Sequence, residues 1–143
     1  VSEPAVLSVA EMLEAVAESA PELALCGAGG KKRTYTRRAE PDAQLPYVLW
    51  SGTTASADGA GYFGQPGWSG TETADCWAAD VDVAKQVFRG LVQLFHDRVH
   101  PISGWLGVQS RVDYVTDVED PSRTAWQVKA RLRLRTVRLA PEE

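Results

Sequence analysis

The sequence predicts an α+β fold: a mainly antiparallel β-sheet with a long C-terminal hairpin, packed by two helices on one face. Two observations carry this expectation. From Trp105 to Leu139 side-chain character alternates with a period of two, the mark of half-buried strands. Two other stretches, near residues 4–20 and 80–96, repeat apolar residues at helical spacing. At 143 residues and 44% hydrophobic content the chain has the size of one ordinary domain, so a single domain over residues 1–143 is expected.

Taken in order, the first helix carries Val6, Val9, Ala10, Leu13, Val16, Ala17 and Ala20 on its apolar stripe, with Ser2 as its N-cap and Pro4 near its first turn. Glu11, Glu14, Glu18 and Glu22 form a second, acidic stripe, with Pro21 placing the last at or beyond the helix end. Gly27 to Gly30 breaks the chain, Lys32 to Arg38 reads as a short polar strand, and Leu45 to Trp50 as a compact apolar strand with Pro46 at its start. Residues 52–70 hold six of the twelve glycines, interspersed with Tyr62, Phe63 and Trp68, and are expected to form a long mobile loop that contacts a partner.

Thr71 to Trp77 reads as a further strand. Asp80 or Asp82 then caps a helix running to about His96, whose core stripe is Ala84, Val87, Phe88, Leu91, Val92, Leu94 and Phe95. His100 and Pro101 end that unit. In the hairpin, Leu106, Val108, Val112, Tyr114 and Val118 share one face of the first strand. Trp126, Val128, Ala130, Leu132 and Leu134 share one face of the second, opposite Lys129, Arg131, Arg133 and Arg135. Residues 119–122 supply the turn. Trp77 and Trp126 are expected near the sheet core.

Composition narrows the function classes. No apolar run reaches the length of about 18 residues that a membrane span needs, and the N-terminus shows no basic region followed by an apolar core, so no secretory signal is expected. Cys26 and Cys76 lie far apart with no CxxC partner and are expected as small buried hydrophobes of a reducing compartment. A net charge of −4 argues against a dedicated nucleic-acid binder. The charges are distributed unevenly: residues 1–30 carry five acids and no base, and residues 122–140 carry six bases and no acid. This suggests matched surfaces.

Catalytic signatures are missing from the pattern. Residues 27–30 lack the Lys-Ser/Thr pair and helix start that a phosphate loop needs. His96 and His100 are four apart, but Pro101 and the helix end spoil a shared metal geometry, and neither has a Ser or Cys in triad context. Asp80/Asp82 and Glu119/Asp120 are explained by a cap and a turn. No enzyme activity and no cofactor are expected. Exposed aromatics at Tyr62, Phe63 and Trp68 leave a second class open, a small carbohydrate- or ligand-binding module.

The order of an N-terminal helix, LPYVLW (45–50), a Gly-rich stretch, TADCWAAD (73–80) leading into a helix, and the hairpin from Val99 to Arg135 resembles the tail-terminator or tail-completion proteins of long-tailed bacteriophages and gene-transfer particles. Members of that family show a Leu-Pro-Tyr-Val strand, a strand ending in a Val-Trp-like pair, a helix, and a final hairpin with an Asp before the turn and an Arg-rich last strand. The positions here are Leu45 to Val48, Cys76-Trp77, Ala79 to His96, and Arg111 to Arg135 with Asp117 and Asp120. The resemblance implies a subunit of a hexameric ring that caps the tail tube and docks the DNA-filled head. Its partners would be further copies of itself, a tail-tube protein and a head-completion or connector protein. DNA would pass only as cargo, and the ring would be assembled in the bacterial cytoplasm and carried in the virion. A tail-tube or baseplate component is a near neighbour of this role. The expected contact between copies sets Glu11, Glu14 and Glu18 of one against Lys129, Arg131, Arg133 and Arg135 of the next.

Overall fold

The computed structural model describes residues 5–27, 32–39, 43–62, 65–102 and 106–139, and for residues 5–10, 53–62, 65–68, 106 and 138 the backbone alone. The elements are α1 (Ala5–Glu18), a 3-10 helix (Pro21–Cys26), β1 (Thr34–Thr36), β2 (Tyr47–Tyr62), β3 (Gln65–Ala78), α2 (Val81–Phe95), β4 (Arg98–Pro101), β5 (Leu106–Asp120) and β6 (Ala125–Arg138). All six strands join one sheet in the order β1-β2-β3-β6-β5-β4, antiparallel except for the parallel β1–β2 pair. This is the expected α+β architecture, with both helices on one face.

The helix-covered face carries the main core. Met12, Leu13 and Ala17 of α1, Leu23 and Cys26 of the 3-10 helix, and Ala84, Val87, Leu91, Leu94 and Phe95 of α2 pack on Val48, Trp50, Ala74, Cys76, Val108, Val112, Val128, Ala130, Leu132 and Leu134. The β6 residues alternate as the period-two pattern requires: Val128, Ala130, Leu132 and Leu134 are buried, and Arg131, Arg133 and Arg135 are exposed on the opposite, open face. Asp80 starts α2 by accepting the Asp82 amide at 2.7 Å, which satisfies one of the orphan donors of the first turn.

Several expectations are corrected. The stretch 52–70 is mostly not a loop: residues 53–58 pair with 67–72, and Tyr62 with Gln65, as a two-stranded arm. Glycine content misled because ladder bonds are made by backbone, which glycine supplies as well as any residue. Its price appears as irregularity, with register shifts between Trp50 and Gly52 and between Asp58 and Tyr62. Gly52 sits at φ 132°, where a side chain would be strained. Since β3–β6 pairing stops at Ser69 and Arg135, residues 57–62 and 65–68 run on beyond the sheet. Tyr62 and Trp68 lie on this arm; their side chains, and Phe63 entirely, fall outside the described residues.

The strand β4 and the 3-10 helix were not expected. In β5, Tyr114 keeps the expected face, opposite Ala130 with its ring edge-on to Phe88 of α2 at 5.5 Å, but is 46% exposed at the rim of the helix cover. The bulge between Tyr114 and Thr116 then shifts the phase, so Val118, expected on the buried face, stands opposite Gln127 and is 48% exposed. Trp126 is only half-buried, because it begins β6 opposite Ala78, at the end of the sheet. Trp77 is buried, but with Tyr47 and Ala125 in a second cluster packed by Tyr35, Ala39, Ala43, Leu45 and Leu49. Arg123, from the turn after β5, lies 4.6 Å over the Trp77 ring and donates to the Tyr47 hydroxyl at 2.7 Å, fastening that end of the hairpin.

Candidate subunit interface

The basic row is held on the open face by the β6 register. Lys129, Arg131, Arg133 and Arg135 stand opposite Asp75, Thr73, Thr71 and Ser69 of β3. On the other side, Arg133 faces the like charge of Arg111 across the ladder. It turns instead to Asp113, with Nε 2.8 Å from Oδ2. Arg135 donates to the Gln109 side chain at 3.0 Å, and Arg111 Nε reaches Asp97 at 3.5 Å. These exposed pairs are each worth only about 0–1 kcal/mol and order the side chains more than they stabilise the fold.

The acidic stripe lies elsewhere. The helix α1 packs over β1 and β2, on the helix-covered face and at one edge of the sheet. Glu11 is exposed, and Glu14 and Glu18 are half-buried. The Thr36 hydroxyl of β1 donates to Glu14, so this carboxylate leans on the edge strand of its own subunit. The fold therefore keeps the acidic stripe and the basic row on opposite faces of the sheet.

The residues considered for chemistry have structural work. His96 Nδ1 accepts the Val112 amide at 2.9 Å, closing the outer edge of β5 just past its pairing with β4. His100 Nε2 donates to the Leu94 carbonyl at 2.9 Å, and its ring lies against Phe95. Both thiols sit free in the main core. Burial pushes Cys26 up to about 11, against an opposing pull from Arg33 and Lys32, and burial likewise raises Cys76. Among the described residues no group of three or more His, Cys, Asp or Glu is placed to hold a metal ion.

Two features escaped sequence reasoning. Tyr114, Val115 and Val118 are each exposed on β5, Tyr114 on the helix-covered side, where its ring meets Phe88 and its hydroxyl donates to Asp117, and Val118 on the other side, opposite Gln127. At the opposite edge of the sheet, Arg37 and Arg38 are exposed just past β1, with Arg37 at φ 67°. The run of basic residues from Lys31 to Arg38 was the available signal for the second; in the first, the facing of Val118 depended on a bulge that no pattern announces.

No protein-family model matches the chain, and no curated protein does either. A solved structure does: a chain from a "Virion of native gene transfer agent (GTA) particle" is similar over 92% of this chain and 95% of that one, at 15% identity and a TM-score of 0.58. At that identity the likeness is one of fold, and it spans nearly the whole of both chains: this protein has the fold of a gene-transfer-agent virion chain.

Proposed function

We propose that the chain is a structural, non-catalytic subunit of a phage-like or gene-transfer particle, forming a ring that ends the tail tube and joins the tail to the DNA-filled head. The observation that carries this reading is the near full-length likeness in fold to a virion chain. The tail-terminator-like sequence pattern of residues 45–135 supplies the finer role. In that role the ring is made of copies of this chain, six in the family it resembles. It meets a tail-tube protein on one side and a head-completion or connector protein on the other, with DNA passing through. Particles assembled without this chain should yield filled heads and unattached tails of irregular length in electron micrographs. Normal joined particles would overturn the role.

For the contact between copies, the charged rows offer one reading. The stripe at Glu11, Glu14 and Glu18 of one copy would lie on Lys129, Arg131, Arg133 and Arg135 of the next, a heterologous contact that closes by rotation. Arg133→Glu should then release subunits from the ring, Glu14→Arg added to it should restore assembly, and salt should weaken the wild-type ring. Mass measurement at low and high salt reads all three, and assembly unmoved by charge or salt removes the rows from the interface.

A further inference from the structure

Four transverse rows of the sheet cross β3, β6 and β5 on the open face, from Ser69, Arg135 and Gln109 at one end to Asp75, Lys129 and Thr116 at the other. Every residue on these rows is polar. Lys129, Arg131, Arg133, Arg135 and Arg111 are cations, Asp75 and Asp113 are carboxylates, and the rest carry hydroxyls or an amide. A chain with a net charge of −4 thus gathers an excess of cations on one face, and it is the local charge that a polyanion meets.

The bulge in β5 maintains that excess. Had the pairing of Tyr114 with Ala130 continued without it, Asp117 and Glu119 would stand opposite Gln127 and Ala125, on the open face beside the basic row. Instead Thr116 stands opposite Lys129, and Asp117 and Glu119 stand opposite Val128 and Trp126, on the helix-covered side. Of the carboxylates that remain, Asp113 is held by Arg133 at 2.8 Å, and Asp75, opposite Lys129, is buried and accepts the Ser51 hydroxyl at 3.2 Å. Among the described residues Lys129 and Arg131 have no ion-pair partner, and Arg135 meets only the neutral Gln109 side chain.

The open side of an antiparallel sheet is commonly just solvated, which accounts for the polarity and the exposure. It does not account for the charge. A solvated face is served by both signs interspersed, whereas here two carboxylates are turned away and Arg111 is kept directly opposite Arg133, a like-charge pair that costs stability. A face kept cationic at that cost fits a polyanionic partner.

The α1 stripe of a neighbouring copy fits it less well than DNA does. Glu14 is engaged by Thr36 of its own subunit, and Glu18 is likewise engaged. The stripe is a single line, whereas the cations occupy two strands. The hydroxyls and the amide between the cations are phosphate donors as well. The row from Lys129 to Arg135 is about 20 Å long, and one strand of a duplex offers a phosphate every ~3.4 Å along its axis. Several phosphates therefore come within reach at once.

We propose that the open face of β3, β6 and β5, with Lys129, Arg131 and Arg135 as its free cations, is a sequence-independent contact surface for the phosphate backbone of double-stranded DNA. Such contacts are loose and salt-sensitive and let the duplex slide. In the ring proposed above this face would line the passage for DNA, and that placement alone rests on the ring reading. One face cannot serve both DNA and the acidic stripe of a neighbour, so the test reads both.

Binding of the full chain to a fluorescent duplex of about 30 base pairs is measured by anisotropy between about 50 and 200 mM salt. Arg133 and Arg111 are held by carboxylates, which leaves three free cations. The logarithm of the binding constant should then fall against the logarithm of salt with a slope of about −3, and a duplex of shuffled sequence should bind equally. Lys129→Gln with Arg131→Gln should cut the slope by about two units and weaken binding at least about tenfold at low salt. Neither side chain has an ion pair to lose, so thermal melting should be unchanged. Thr116→Asp, which puts a carboxylate back beside Lys129, should also weaken binding. Sedimentation in the same buffers reads assembly, and affinities are compared where variant and wild type have equal mass. Absence of binding by the wild type, or a slope that the double variant leaves unchanged, overturns the DNA surface and leaves the ring reading intact. Lost assembly with DNA binding untouched also overturns it and gives the row to a neighbouring copy. A chain that binds DNA in this way but never closes a ring upholds the surface and counts against the ring reading alone.

Discussion

Phe95→Ala is expected to destabilise the subunit by about 3–5 kcal/mol, the range for removing a fully buried aromatic ring. The ring has no exposed surface and ends α2. It meets Trp50 of β2 edge-on, with centroids 6.0 Å apart, and the His100 ring next to β5 at 5.3 Å. The neighbours of Trp50 along its transverse row are Ala74 and Ala130, small residues that leave room under α2 for the two large rings. Truncation would leave a cavity that this sheet cannot close, because its strands are fixed by ladder bonds on both sides. Urea denaturation followed by tryptophan emission measures the loss. A change below about 1 kcal/mol would mean that the ring is not part of the joint between helix and sheet.

The second expected result runs against helix propensity. Replacing a mid-helix glycine by alanine ordinarily gains about 1 kcal/mol. At Gly90 the added methyl would lie 2.4 Å from the Glu22 carbonyl oxygen and 3.1 Å from Leu23 Cδ2. The obstacle is backbone of the 3-10 helix, which cannot swing aside as a flexible side chain would. We expect Gly90→Ala to lose about 1–3 kcal/mol net, as overpacking does, and Gly90→Val to lose more. A rise in the urea midpoint of the alanine variant would show that the 3-10 helix does not seat on α2.

These two sites illustrate different degrees of legibility. Phe95 falls on a helical stripe and was readable as core, because a 3.6-residue period reports directly which side of a helix is dry. Its partner Trp50 was visible only as one residue of an apolar strand. Gly90 carries no signal at all, since its role is to let another segment approach, and that segment lies 68 positions away. The arm at 57–62 and 65–68 failed for the opposite reason. Its composition was loud, but glycine and serine report chain freedom, whereas pairing is decided by whichever backbone lies alongside.

The interface candidates divide in the same way. The alternation of residues 126–135 determined from sequence alone that Lys129, Arg131, Arg133 and Arg135 share a face, since successive side chains of a strand point to opposite sides. The helical spacing of Glu11, Glu14 and Glu18 likewise determined a stripe. Sequence by itself also determined the fold class, both helices and most of the strands, because each depends on periodicity within one segment. Only the tertiary structure decided which strands are central and which are edges, that the bulge in β5 turns Val118 to the open face, and that Trp77 belongs to a separate cluster across the sheet. Strand order and register arise from contacts between segments far apart in the chain, and a bulge of one residue reverses the side that every later residue faces.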